Sequence, residues 1–232
     1  MKARLDFHIH SCLSPCAALE MSPREIVRRE KAAGIDCIAL TDHSCVENLS
    51  AFHQACAESG MACLYGLEVS TSEEVHVLAL FDDLLRALDF GRMIYTHLPA
   101  VPNDPNRFGE QPVINHNEEV QYFADKLLNI GTDISFFDLV PMILDAGALC
   151  IPSHIDRPMC GAISHLGFLP DLPYDAVEVV GEIDPNIARR WPVVRFSDAH
   201  LPEQLARRFT EVETEAFTVP ALREAFRRLL VK

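Results

Sequence analysis

The sequence is short of positive charge. Its 20 Lys and Arg face 34 Asp and Glu across 232 residues, a formal net charge of -14. That deficit argues against a surface that binds long nucleic-acid backbones. It leaves room for a small phosphorylated substrate, because bound metal ions invert the local field. Long apolar runs are missing too. No window holds the ~18 consecutive apolar residues of a membrane-spanning helix, so no membrane partner is expected. The start, Met1-Lys2-Ala3-Arg4-Leu5-Asp6, lacks the apolar stretch of a secretory leader. On that reading the 8 cysteines are reduced thiols, some packed as small hydrophobes, in a cytoplasmic protein. Internal repeats and low-complexity tails are absent as well, which excludes a solenoid. What remains, 49% apolar and 23% charged, is the composition of an ordinary globular core.

The chain alternates strand and helix signals. Leu5-Asp6-Phe7-His8-Ile9-His10-Ser11 is an apolar run ending in two histidines spaced i, i+2. On a strand that spacing points both imidazoles to one face, which suits either an exposed strand face or the wall of a metal site. Ser22-Pro23-Arg24-Glu25 opens a helix with a serine cap, proline at N1 and glutamate at N3, and Gly34 ends it. Residues 36–43, 62–70, 74–80, 148–154, 176–180 and 193–198 read as strands. Residues 46–59, 135–146 (with Pro141 inside) and a stretch from Val219 read as helices. Between about 81 and 133 the chain makes an irregular excursion. It passes Pro99, Pro102, Pro105 and Pro112 before a further helix expected at 118–128. Alternation of this kind points to a parallel, barrel-like sheet, in which chemistry sits at the C-terminal strand ends. The ionisable residues His8, His10, His43, Glu68, His154, Asp198 and His200 accumulate at those ends.

Six segments together carry a resemblance: Asp6-Phe7-His8-Ile9-His10-Ser11, Thr41-Asp42-His43, Gly66-Leu67-Glu68-Val69-Ser70, Val75-His76-Val77-Leu78, Ser153-His154 and Ser197-Asp198-Ala199-His200. In this order, over almost the whole chain, they resemble the polymerase and histidinol phosphatase (PHP) domain metal-dependent phosphoesterases. The resemblance implies an α/β fold, a distorted TIM-like (β/α)7 barrel, as a single domain over 1–232 with an insert at about 81–133. It implies two or three divalent metal ions, zinc, iron or manganese. His8, His10, Glu68 and Asp198 would hold one ion. Glu68 would bridge to a second held also by His76 and His154, and His43 and His200 would hold a third. At the third the chain departs from the family: Pro15 and Cys16 stand where an aspartate or histidine is usual. Cys16 is then either a thiolate ligand, favouring zinc or iron, or a small buried residue.

Arg157, three residues past His154, either grips a phosphate oxygen or pairs with Asp156. Asp42 reads as an orienter of its neighbours. His53 reads as a packing residue, and His97, His116 and His165 as weak candidates for a general acid. Arg189-Arg190 and Arg207-Arg208 read as solvated helix faces. The function implied is hydrolysis of a small phosphomonoester, a nucleotide or phosphorylated metabolite, by a hydroxide bridging two ions, with Glu68 and Arg157 in the catalytic machinery. Two alternatives stay open: a nuclease trimming DNA or RNA ends, and a non-catalytic metal or redox-sensing module. The sequence leaves the oligomeric state open.

Overall fold

In the computed structural model, which describes residues 1–230, a curled sheet wraps an apolar interior and carries helices outside. The expected domain span of 1–232 includes Val231 and Lys232, which lie outside the described residues. Strand β1 (Lys2–Asp6) leads through α1 (Pro23–Ala32) to β2 (Cys37–Leu40), and α2 (Leu49–Ser59) leads to β3 (Ala62–Ser70). These three strands pair in parallel. Ser22 caps α1 by accepting the Glu25 amide, with Pro23 at N1. Gly60 closes α2 in the left-handed conformation at φ 67°.

The all-parallel expectation fails at β4 (His76–Phe81), which runs antiparallel to β3. The reason is connection length: residues 71–75 form a hairpin turn, and no helix fits between the two strands. The next sheet strand, β7 (Leu149–Pro152), is antiparallel to β4 in turn. Gly66 lets β4 approach, since a Cβ there would stand 2.5 Å from the Ala79 carbonyl oxygen.

Between β4 and β7 lies the excursion. Helix α3 (Leu84–Thr96) and the short α4 (Pro105–Phe108) precede a hairpin of β5 (Pro112–Ile114) and β6 (Val120–Phe123). The helix expected at 118–128 is therefore a strand and turn. Val120, Tyr122 and Phe123 favour extended backbone, and Glu118, at φ 64°, closes the turn by donating its amide to the Asn115 carbonyl. Helix α5 (Phe136–Asp145), capped by Ser135, returns the chain to the sheet despite Pro141 within it. After β7 come α6 (Ala162–Leu166), β8 (Val177–Glu178), α7 (Pro185–Arg190), β9 (Val193–Val194), β10 (Thr210–Glu213) and α8 (Val219–Arg227). Strands β8 and β9 pair in parallel as a separate ribbon, shorter than expected, and β10 closes antiparallel on β1.

Period two sorts each sheet strand. Cys37 and Ala39, Leu64, Leu78 and Leu80, and Leu149 and Ile151 fill the interior with Phe7, Phe196 and the apolar face of α8. Their neighbours Ile38 and Leu40, Leu67 and Val69, and Val77 and Ala79 pack beneath the helices. Continuing the interior series upward by steps of two reaches His43, Glu68 and His76. The barrel is apolar at its base and ionisable at its rim. Among the described residues no helix is long and apolar enough to cross a membrane.

Candidate metal centre

Six histidines and two carboxylates meet at that rim. Because β4 is antiparallel, His76 at its beginning lands beside the strand ends that carry the other residues. Backbone hydrogen bonds extend the sheet into the site: Ser44 N–H donates to the Glu68 carbonyl, Glu68 N–H to the Asp42 carbonyl, and His10 N–H to the Ala199 carbonyl. Three residues in these connections hold positive φ without being glycine: Ser44 (44°), His154 (31°) and Asp198 (49°). Each such conformation costs about 1–2 kcal/mol. That cost is tolerated where the rest of the fold dictates the turn.

Glu68 is the hub. It is 1% exposed, with Oε1 3.1 Å from His8 Nε2, 3.2 Å from His76 Nδ1 and 3.2 Å from His154 Nε2. Its Oε2 lies 3.3 Å from His43 Nδ1 and 3.4 Å from His10 Nε2. Asp198 Oδ1 lies 3.3 Å from His8 Nε2 and 3.5 Å from His10 Nε2. Despite this crowding, Glu68 Oε1 and the Nδ1 atoms of His43, His76 and His154 make no hydrogen bond among the described residues. Buried polar atoms without partners are rare. Charge-assisted hydrogen bonds would draw such pairs to about 2.7–2.9 Å. Ligands around a shared cation with bonds near 2.1 Å stand about 3.4 Å apart at tetrahedral corners. The spacing here fits the second case, and the donor set of imidazole and carboxylate suits divalent metal ions.

Four overlapping groups bring three candidate ligand atoms within 4.8 Å of one another: His8, His10 and Asp198; His8, Glu68 and His154; His43, Glu68 and His76; and His10, His43 and His200. His10 thus joins His43 and His200, stacking on His200 with ring centroids 4.1 Å apart. Cys16 is in none of these groups. It is exposed, at the mouth of the site. The protein around it, then the Glu68, Asp198 and Asp42 carboxylates, push its thiol up to about 12.

On His8 and His10 the ring nitrogens facing away from the hub have partners that fix their roles. Glu178, on β8, accepts from His8 Nδ1 at 2.8 Å and from the His154 N–H at 3.1 Å. A carboxylate can only accept, so His8 Nδ1 carries a proton and Nε2 is the nitrogen turned toward Glu68, where a cation would displace its proton. Ser14 Oγ donates to Asp42 Oδ1 at 2.6 Å, so it accepts from His10 Nδ1 at 3.0 Å and from the His43 N–H at 3.2 Å. Asp42 also accepts the Ser11 amide and hydroxyl. It orients its neighbours without entering a ligand group. Sequence reasoning missed Glu178 and Ser14. Glu178 lies inside an apolar run, where an ionisable residue is itself a signal.

Charge follows the same geometry. Burial opposes protonation of His76, but the Glu68 carboxylate and then Cys160 lift it to about 10. Burial, then neighbouring His10, lowers His200 to about 3. Burial likewise holds His43 well below the ordinary imidazole range. Against the cost of burial, His8 holds both Glu68 and Asp198 below the usual carboxylate range.

Arg157 is half-buried and ion-paired with Asp198, not with Asp156, which instead accepts the Val180 and Gly181 amides. Arg207 and Arg208, expected on a helix face, follow a short 3-10 turn at Pro202–Gln204 and bond to carbonyls beside the site. His53 bonds the Tyr65 hydroxyl, His97 pairs with Asp133, and both ring nitrogens of His165 are taken by backbone. These three and His116 lie outside the four groups. The insert meets the loop after β1 through Asn48 and at Pro15, and packs on Leu13. Buried Asn48 donates to Ser11 Oγ and to the Pro112 carbonyl, and accepts the Ile114 amide. Gly109, at φ 100°, lies against Pro15, where a Cβ would stand 2.1 Å from the carbonyl oxygen.

The sequence from residue 6 to residue 178 matches the model of the PHP domain, and the site falls on the segments that carried the resemblance. The chain belongs to the PHP domain family. A 5'-3' exoribonuclease of Haemophilus influenzae is 32% identical over 34% of this chain and 29% of its own. A 3',5'-nucleoside bisphosphate phosphatase of Chromobacterium violaceum is 37% identical over 34% of this chain and 27% of its own. The chain thus spans under a third of the length of these curated relatives. In fold, the lesion-specific endonuclease PfuEndoQ of Pyrococcus furiosus superposes with TM-score 0.73 at 18% identity, over 98% of this chain and 56% of that one. A Bifidobacterium adolescentis protein described as a metal-dependent phosphoesterase superposes with TM-score 0.63 at 17% identity, over 97% and 96%. The distorted barrel of this PHP domain is therefore that of its relatives.

Proposed function

We propose that this PHP domain hydrolyses a small phosphomonoester of the nucleotide class at a multinuclear metal centre. The observation that carries the reading is Glu68 Oε1, buried without a hydrogen bond among three imidazole nitrogens at 3.1–3.2 Å. His8, His10, Glu68 and Asp198 would hold one cation, and Glu68, His76 and His154 a second. His10, His43 and His200 would contribute to a third. Cys16 stays at the mouth of the site in this reading. When bound, the ions supply charge to neutralise the phosphoryl oxygens and to acidify water near neutral pH.

The protein's own residues do the rest. Glu178 and Ser14 keep the His8 and His10 lone pairs turned inward. Arg157, whose present partner Asp198 would turn to a cation, is then free to grip a phosphate oxygen with its fork. The enclosing wall of buried side chains limits the water that competes for the phosphate. The insert, tied to the ligand loop by Asn48, is the source of selectivity.

The relatives include enzymes of both nucleotides and nucleic acids. The net charge of -14 favours the small substrate. A redox-sensing role at the metal centre has little support: burial pushes the thiols of Cys12 and Cys45 up to about 12, which leaves them poor thiolates.

The test is phosphate release from a panel of phosphomonoesters beside a single-strand exonuclease assay, after metal analysis of anaerobically purified protein. Glu68→Ala and His154→Ala should lose metal and at least ~10³ in rate, by the scale for disabling a metal nucleophile, while still melting cooperatively. Cys16→Ala should leave metal count and identity unchanged. Metal-loaded wild-type protein that releases phosphate from no substrate would overturn the reading.

A further inference from the structure

Away from the metal centre, at the foot of the barrel, two thiols face each other. Cys56 lies in the last turn of α2, and Cys63 is the second residue of β3. Between them Gly60 turns the chain in the left-handed conformation, and the Met61 amide donates to the Cys56 carbonyl at 3.0 Å. Cys63 stands opposite Ile38 in the parallel register, so its side chain points beneath the helices, where Cys56 packs. Cys37, opposite Ala62, faces the barrel interior instead. Both thiols are free; Cys56 is buried and Cys63 half-buried.

The Cys63 sulfur ends a chain of hydrogen bonds that leads to solvent. Its thiol donates to the Tyr65 hydroxyl at 3.5 Å, and that hydroxyl stands 2.6 Å from His53 Nδ1. Tyr65 is buried and His53 is exposed. A hydroxyl that accepts from the thiol gives its own proton to the imidazole. Along this line a proton leaves Cys63, the hydroxyl turns to donate to the sulfur, and an exposed imidazole receives the charge. The Cys56 thiol, donating to the same sulfur, holds Cys63 below the ordinary thiol range against the cost of burial, and the Tyr65 hydroxyl adds to this. That bond and then burial raise Cys56. Burial also raises Cys12, Cys37, Cys45 and Cys150. The pair thus divides into a thiolate and a neighbouring thiol, as an attacking and a resolving cysteine must.

We infer that Cys56 and Cys63 form a redox site, which a hydroperoxide such as hydrogen peroxide converts to a reversible disulfide. The Cys63 thiolate attacks one peroxide oxygen, an S–O bond forms and the O–O bond breaks. The departing oxygen takes up a proton, in place of the one Cys63 released, and leaves as water or an alcohol. Cys63 is then a sulfenic acid. The Cys56 sulfur attacks it, the S–S bond replaces the S–O bond, and hydroxide leaves with the Cys56 proton as water. Each sulfur gives up one electron and the peroxide gains two. Glu68 lies five residues further along β3, about 17 Å at the rise of a strand. The site therefore stands apart from the metal centre and does not depend on the phosphoesterase reading.

Peptide mapping by mass spectrometry, on the full chain treated with equimolar hydrogen peroxide, tests it. The Cys56 and Cys63 peptides should appear joined and two hydrogens lighter, before exposed Cys16 is modified, and dithiothreitol should separate them. In Cys56→Ser the sulfenic acid should persist on Cys63 and be trapped by dimedone. In Cys63→Ser the Cys56 thiol should stay unmodified. Tyr65→Phe should slow the first step about tenfold or more, because the rate follows the thiolate fraction, which falls about tenfold per unit of pKa. Mapping of the wild-type chain decides the matter if a variant fails to fold. Oxidation of Cys16 ahead of the pair, a sulfenic acid on Cys63 that never resolves onto Cys56, or a pair that stays reduced under excess peroxide overturns the inference.

Discussion

Replacing Glu178 tests whether the ligand imidazoles are positioned from behind. Its Oε2 accepts two buried donors, His8 Nδ1 at 2.8 Å and the His154 amide at 3.1 Å. In Glu178→Gln the amide oxygen can keep both bonds, so the loss is the negative charge behind His8. Partners of this kind contribute about 10- to 100-fold in metal affinity, or roughly 1.4–2.7 kcal/mol. Glutamine should sit at the low end, near tenfold, and Glu178→Ala at the high end. Alanine also strands two buried N–H groups at about 1–3 kcal/mol each. At roughly 2–4 °C per kcal/mol for a chain of this size, that lowers the melting temperature by about 4–24 °C. Competition with a chelator of known affinity reads the first quantity, and calorimetric melting the second. If Glu178→Ala binds metal within threefold of wild type, the claim that Glu178 orients His8 is wrong.

Ser14→Ala removes the one oxygen that serves His10 Nδ1, the His43 amide and Asp42 together; chemical denaturation should show a loss of about 2–4 kcal/mol, from stranding two or more buried groups, and a loss below 0.5 would refute that role. Glu30 concerns pH. Burial, then the Asp6 carboxylate, push its carboxyl up to about 9, so between about pH 5 and 9 the folded state holds a proton that the unfolded chain has released. Stability should therefore fall as pH rises through that window, by at most about 1.4 kcal/mol per pH unit for one proton. Glu30→Gln, melted across the same range, should flatten the slope, and an unchanged slope would rule Glu30 out as its source.

Much of the centre was legible because ligand chemistry is written in short local patterns. The i, i+2 pair His8 and His10, and single ionisable residues at the ends of apolar runs, announce themselves by position alone. Glu68 and His154 were found this way. What stayed hidden depends on distance along the chain. Glu178 meets His8 across 170 residues, and nothing local tells a carboxylate behind a ligand from one in a strand edge. The antiparallel β4 was readable in principle, since five residues cannot hold a crossover helix, yet the strand–helix rhythm elsewhere masked it. In the insert, proline density said loop correctly. The stretch from Glu118 was mistaken for helix because β6 is exposed at every position, so no buried face marks its period. Arg207 and Arg208 read as a helix face, although they follow a short turn, because their carbonyl partners come from other segments.

Asn48 has a practical consequence for anyone cutting this protein. With one amide it joins the loop that carries Ser11 to the first strand of the insert hairpin, at Pro112 and Ile114. The insert is therefore not a detachable module whose boundaries can be read from proline content. A deletion that removes residues 112–114 also takes away what holds Asn48, and with it the support under Ser11 and Asp42. A shortened variant meant to report on selectivity must end before Pro112. Otherwise it reports on a collapsed scaffold.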